Sequence, residues 1–288
     1  MATTEEWNRQ WKAFSEMQIP DGGFGYAPGL KAGVEPTVHA VLAGLAGNVN
    51  PREFDASLKW LAEKRNPDGS VPCSMEFPDQ GLWLSAPYAL AMFKAGDTRS
   101  ALAAVEFLLS FTSVTVDNTG KNDLDGSLVG WPWGKGAFSW VEPTVWSLLA
   151  LEAAGKGDHP RAVEGRRVLV DRQMRSGGWN YGNKHVYGQD LIPFADTTAL
   201  ALLALYGRVP DESIEVSITF LEAEAVVQNS PYALALSGLA LRRCRRGTVD
   251  AVLKRLEEKM SLLQGERMNM VHLGLCLQAL GKRGILWE

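Results

Sequence analysis

The chain has 288 residues, 46% of them hydrophobic and 22% charged, a balance ordinary for a folded protein with a large core. Its net charge of −4, with acidic and basic residues intermixed, leaves no polybasic face and argues against a nucleic-acid partner. No apolar run approaches the ~20 residues that span a bilayer, so no integral membrane segment is expected.

In chain order, Met1 to Gln18 is polar and amphipathic and lacks the apolar centre of a secretion signal, which makes a cytoplasmic protein the expectation. A helix predicted over about 3–18 leads through Gly22-Gly23-Phe24-Gly25-Tyr26 into Val34-Glu35-Pro36-Thr37-Val38 and an Ala/Leu-rich helix. A second, over about 51–65, leads through Asn66-Pro67-Asp68-Gly69-Ser70 into Ala86-Pro87-Tyr88-Ala89-Leu90. A third, over about 98–112, is followed by a long insertion at about 114–140 that contains Gly130-Trp131-Pro132-Trp133-Gly134. The insertion ends in Val141-Glu142-Pro143-Thr144-Val145, a second copy of the same pentapeptide in the same context. Helices over about 159–175, 211–225 and 248–263 then lead into Asp196-Thr197-Thr198-Ala199-Leu200, Ser230-Pro231-Tyr232-Ala233-Leu234 and a last apolar helix near Asn269.

The two helix types alternate. One is charged and one-sided, with apolar residues three and four apart, as in Phe54, Leu58 and Leu61. The other is apolar nearly all round, as a buried inner layer requires. Pro36, Pro143 and Pro231 fall in first turns, and Gly47, Gly96, Gly155, Gly207 and Gly281 follow helix ends. About twelve helices result, six of each type, arranged either as an open solenoid or as a closed double ring. Cys73, Cys244 and Cys276 are odd in number and far apart, which argues against a disulfide framework.

Gln18-Ile19-Pro20-Asp21-Gly22-Gly23-Phe24 and Gln173-Met174-Arg175-Ser176-Gly177-Gly178-Trp179 both fit Q-x-x-x-G-x-[F/W]. This resembles the QW repeat of squalene–hopene and oxidosqualene cyclases, whose relatives occur in protein prenyltransferase β subunits. Asn66 to Ser70 resembles a degenerate copy, and the repeat plan covers essentially the whole chain. The resemblance implies an all-α (α/α)6 toroid, one domain over residues 1–288. It also implies a terpene-cyclase-like central cavity for an isoprenoid or another hydrophobic small molecule, with no cofactor.

Cyclases of this family carry D-x-D-D-T-A at an inner-helix start, and the middle Asp is the acid. The matching stretch here is Phe194-Ala195-Asp196-Thr197-Thr198-Ala199, so the middle acid stands as Asp196 while Phe194 and Thr197 replace its carboxylate neighbours. Acid-catalysed cyclisation or isomerisation would then rest on Asp196 alone. Protein prenyltransferases bind zinc through an Asp, a Cys and a His. His272 and Cys276 share a helix face here, but their spacing does not match that ligand set, and no metal site is expected.

In the repeat register Glu35, Glu142 and Asp196 open three inner helices, which would crowd acids at one end of the ring. His39, one turn after Glu35, could complete an acid–base pair. Phe24, Tyr26, Trp131, Trp133, Trp140, Trp179, Tyr181 and Phe194 are the candidate ligand contacts at that mouth. Asp117, Asn118, Asp123 and Asp125 in the insertion do not meet a calcium-loop pattern and read as a solvated loop. Two other functions fit the same residues. One is a non-catalytic binding or scaffold module. The other is a carbohydrate-active lyase or hydrolase, because acids and aromatics at a mouth suit sugars.

Overall fold

The computed structural model describes residues 4–116, 123–262 and 269–288. Six charged helices, α1 (Thr4–Ser15), α3 (Asp55–Ala62), α5 (Thr98–Ser110), α7 (Pro160–Arg172), α9 (Asp211–Val227) and α11 (Val249–Leu262), alternate with six apolar ones. The apolar set is α2 (Val34–Ala46), α4 (Ser85–Ala95), α6 (Val141–Ala153), α8 (Ala195–Leu205), α10 (Pro231–Arg243) and α12 (Met270–Leu280). The charged helices bury one stripe each, such as Val252, Leu253, Leu256 and Met260 on α11. The apolar helices are buried almost throughout; on α2 only Glu35 escapes. The second charged helix is shorter than its 51–65 expectation because Asn50 caps a 3-10 turn, Pro51–Phe54, ahead of it. No helix among the described residues is long and apolar enough to cross a membrane.

The apolar helices pack in sequence order, α2 on α4 on α6 on α8 on α10 on α12, and α12 then packs on α2. That last contact closes the ring and excludes the open solenoid. The seam is tied at both ends. Met270 N–H donates to Tyr26 O at one end, and Lys282 and Arg283 N–H donate to Ala46 O at the other. The indole of Trp7, on the first charged helix, donates to Leu277 O at 3.0 Å. Short turns join the chain at the far end, whereas the longer connections all arrive at the ring end where the inner helices begin.

One hydrogen bond recurs in those longer connections. The backbone N–H groups of Phe24, Trp131 and Trp179 donate to Thr37, Thr144 and Thr198 Oγ1 at 2.9, 3.1 and 3.0 Å, and Val71 N–H donates to Ser85 Oγ at 2.8 Å. A hydroxyl in the first turn of each of these four inner helices thus sews its entry loop to the ring. The two glutamines of the repeat act one layer further out. Gln18 Nε2 donates to Gly22 O and Ser57 Oγ, and Gln173 Nε2 to Ser213 O and Ser217 Oγ, so each reaches the next outer helix.

The turn glycines fit no other residue. Gly22 and Gly177 adopt φ of +97° and +91°, and a Cβ would lie 2.5 Å from Ala56 O and 2.7 Å from Val216 O. Gly177→Ala should therefore lower stability by roughly 2–3 kcal/mol, combining positive-φ strain with the clash. Gly29→Ala, at φ +81° in open space, should cost only the strain, about 1 kcal/mol. Urea unfolding of the two variants tests this, and equal losses would show that the close approach carries no weight.

Candidate functional site

The six inner helices run parallel, so their first turns and positive dipole ends meet at one mouth. Glu35, Glu142 and Asp196 occupy the first turns of α2, α6 and α8. Glu142 lies within the fields of the other two. Glu142 is pushed up to about 7, mainly by burial and further by the negative charges of Glu35 and Asp196, while a hydrogen bond from Trp146 opposes the shift. Burial also raises Glu35, and the Tyr26 hydroxyl, donating to its Oε2 at 2.7 Å, works in the opposite sense. Asp196 Oδ1 accepts the Thr197 N–H at 2.9 Å.

Three tyrosines frame these acids. Burial, then the Glu35 charge, raises the Tyr26 phenol. Tyr181 is raised by burial and then by Asp196 and Glu142, and Tyr232 by burial and then by Glu142, Asp196 and Glu35. Tyr232 was not among the expected site residues. Its place in the sequence is nonetheless legible, since it is the second residue of α10, as Glu35, Glu142 and Asp196 are the second residues of their helices.

The aromatics divide into two groups. Tyr26 and Tyr181 are exposed, and Trp133, Trp140 and Phe194 are half-buried. They form rim pairs, Trp133 edge-on to Trp83 at 4.8 Å, Trp140 stacked on Phe138 at 5.3 Å, and Tyr181 tilted on Phe194 at 5.4 Å. Phe24, Trp131 and Trp179 do not serve as the ligand contacts expected of them. They are 3%, 1% and 0% exposed. The Trp131 indole donates to Leu108 O, the Trp179 indole to Leu169 O, and Phe24 stacks on Phe14 at 5.5 Å. These three are the staples of the repeat, their rings anchored in the wall by those contacts.

His39 is likewise not the base of an acid–base pair with Glu35. It is 2% exposed, and burial, with a smaller contribution from His272, lowers it to about 3, so it is neutral near pH 7. Its ring meets Trp146 edge-on, with centroids 5.5 Å apart. The two residues are equivalents, each following Val-Glu-Pro-Thr-Val, and they touch inside the ring one turn below the acids. They meet across the ring interior at that depth. The sixth position after each pentapeptide start is the signal that would have found Trp146.

His272 and Cys276 also separate. His272 is exposed at the rim, 4.6 Å from the Tyr232 ring. Cys276, one turn deeper, is fully buried, its thiol directed at Pro231 O and pushed up to about 12 by burial. Among the described residues no group of three or more His, Cys, Asp or Glu side chains is placed to hold a metal ion. In the insertion, Asp125 caps the Ser127 N–H and hydroxyl, and Asp123 faces Arg175 and Lys184 at 3.7 and 3.9 Å. Asp117 and Asn118 lie outside the described residues.

The buried carboxyl makes stability depend on pH. Glu142 titrates at about 7 folded against 4.5 ordinarily, so between these values the unfolded chain has lost a proton that the folded chain keeps. Stability therefore falls as pH rises through this window, by about 3 kcal/mol in all. Glu142→Gln should match the wild type near pH 4 and exceed it near pH 8 by that amount in urea unfolding. Parallel pH profiles would contradict the burial of this carboxyl.

No protein-family model and no curated protein matches the chain. Solved structures do. A protein from Actinoplanes superposes with a TM-score of 0.66 at 16% identity, covering 96% of this chain and 98% of that one. An α-amylase from Clostridium perfringens gives 0.70 at 12% identity, covering 100% and 99%. An inactive variant of the α-1,6-mannanase of Salegentibacter sp. HEL1_6, in complex with α-1,6-mannotriose, gives 0.68 at 9% identity, covering 98% and 99%. At these identities the likeness concerns the fold, and with the closed helical ring described above it makes the chain an all-α toroid.

Proposed function

We propose that the chain is a carbohydrate-active enzyme that hydrolyses glycosidic bonds at the acidic mouth of the toroid. The observation that carries this reading is the convergence of Glu142, held near 7, with Asp196 and Glu35 under a rim of paired aromatic rings. A carboxyl that keeps its proton near neutrality beside a second carboxylate is what glycoside hydrolysis requires. The mannanase and amylase structures that share the fold over nearly their whole length support the same substrate class. The terpene-cyclase reading has weaker support: Asp196 lacks its two carboxylate neighbours, and His39 and Trp146 meet across the ring beneath it.

In this mechanism the Glu142 carboxyl gives its proton to the glycosidic oxygen as the bond from that oxygen to the anomeric carbon breaks. A water attacks the anomeric carbon, and Asp196 takes the proton that the water loses. Asp196 is held for this role in the first turn of α8, where its Oδ1 accepts the Thr197 N–H. Glu35, engaged by the Tyr26 hydroxyl, orients substrate hydroxyl groups. Sugar faces lie against the rim pairs, Trp83 with Trp133 and Phe138 with Trp140.

The test is reducing-sugar release from a panel of neutral α- and β-linked glycans, with farnesyl diphosphate and squalene as controls. At least one glycan should be cleaved, with a rate falling above about pH 7 as Glu142 loses its proton. Glu142→Gln and Asp196→Asn should each reduce kcat by roughly 10²–10⁴-fold with the fold retained. Cleavage that survives Glu142→Gln, or turnover of an isoprenoid alone, would remove the proposal.

A further inference from the structure

A buried polar atom in an apolar ring needs a partner, and one on an inner helix of this ring has none among the described residues. It is the side-chain carbonyl Oε1 of Gln278, on an α12 that otherwise buries Val, Leu, Ala, Gly, Cys and Met. The other end of that amide is engaged: Nε2 lies 3.1 Å from His39 Nδ1 and 3.5 Å from His39 O. The amide donates, so Nδ1 accepts and the imidazole carries its hydrogen on Nε2.

The geometry that brings them together is specific. A Cβ at Gly274 would lie 3.0 Å from the His39 Cβ and 3.1 Å from its carbonyl oxygen. Glycine there lets α12 approach α2 closely enough for Gln278, one turn further on, to reach the imidazole. The imidazole in turn meets Trp146 edge-on, at 5.5 Å and 76°. Trp146 stands one turn below Glu142 on the same face of α6, and its indole acts on that carboxyl. A continuous path thus runs from α12 through α2 to the acid on α6, and all three intermediate residues are at most 2% exposed.

We infer that His39 and Gln278 are positioning residues that hold Trp146 against the Glu142 carboxyl. Their importance for turnover rests on the reading of Glu142 as the proton donor, but the positioning itself does not. A leucine at position 278 would fill the space without an unpartnered carbonyl, so what the amide supplies is the orientation of the imidazole. The charges that act on Glu142 come from Glu35 on α2 and Asp196 on α8, with Tyr181 and Tyr232 also facing the acids. His272 acts on His39. Replacing Gln278 alters none of these groups.

The nearby Trp146 indole favours the carboxylate, so letting it move away raises the midpoint of Glu142. The experiment is a carboxyl ¹³C NMR titration of glutamate-labelled protein, with the Glu142 signal assigned through Glu142→Gln. Trp146→Phe should move the midpoint upward by about one pH unit and Gln278→Leu by about half a unit in the same direction. Gln278→Leu should unfold at the same or a higher urea concentration than the wild type, which separates positioning from core packing. His39→Leu should match Gln278→Leu if it folds, and Gln278→Leu decides the question if it does not. An unmoved midpoint in folded Gln278→Leu overturns the inference. Because the titration needs no substrate, a protein that cleaves no glycan would overturn the proposed function and leave this result standing.

Discussion

Everything at the mouth depends on the seam where α12 closes on α2. An open array of the same six hairpins would bury the same faces locally but would leave Glu35 on an end, far from Glu142 and Asp196. Closure requires the backbones to approach tightly. Gly274 lies against His39, Gly281 lies against Ala46, and hydrogen bonds tie the seam at Tyr26 and at Ala46. Small residues at these contacts do what branched side chains would prevent, and the ring interior is narrow enough for His39 and Trp146 to meet inside it.

Closure also sets the electrostatics. Six parallel helices bring six positive ends to one side, and three of those ends carry an acidic residue in the first turn. Each acid alone would be an ordinary partner for a helix dipole. Half-buried behind a rim of aromatic rings, Glu142 also feels the charges of Glu35 and Asp196, and it keeps its proton toward neutrality. Burial is the larger cause and mutual repulsion the smaller, so the shift belongs to the ring as a whole more than to any one pair.

Much of this was legible beforehand because it repeats. The paired Val-Glu-Pro-Thr-Val blocks predict two equivalent helix starts, and Glu35, Glu142 and Asp196 do share the mouth. The aromatics were harder to sort. Trp131 and Trp133 stand two residues apart, yet one is sealed in the wall and the other lies on the rim. The Trp131 indole donates to Leu108 O, twenty-three residues away, a partner that only the folded chain brings to it. Nor did residue type reveal that His39 is neutral, since the imidazole owes its state to burial among elements that come from both ends of the chain.

The sequence by itself determined the twelve helices, their alternation and the acidic first turns, because helix periodicity, capping and turn glycines act over a few residues. The tertiary structure decided that the ring closes, which aromatic rings face a ligand, and that His39 is a neutral support for Trp146. These outcomes depend on contacts between residues as distant as His39 and Gln278. Their burial and electrostatic environment exist only once the first and last repeats have met.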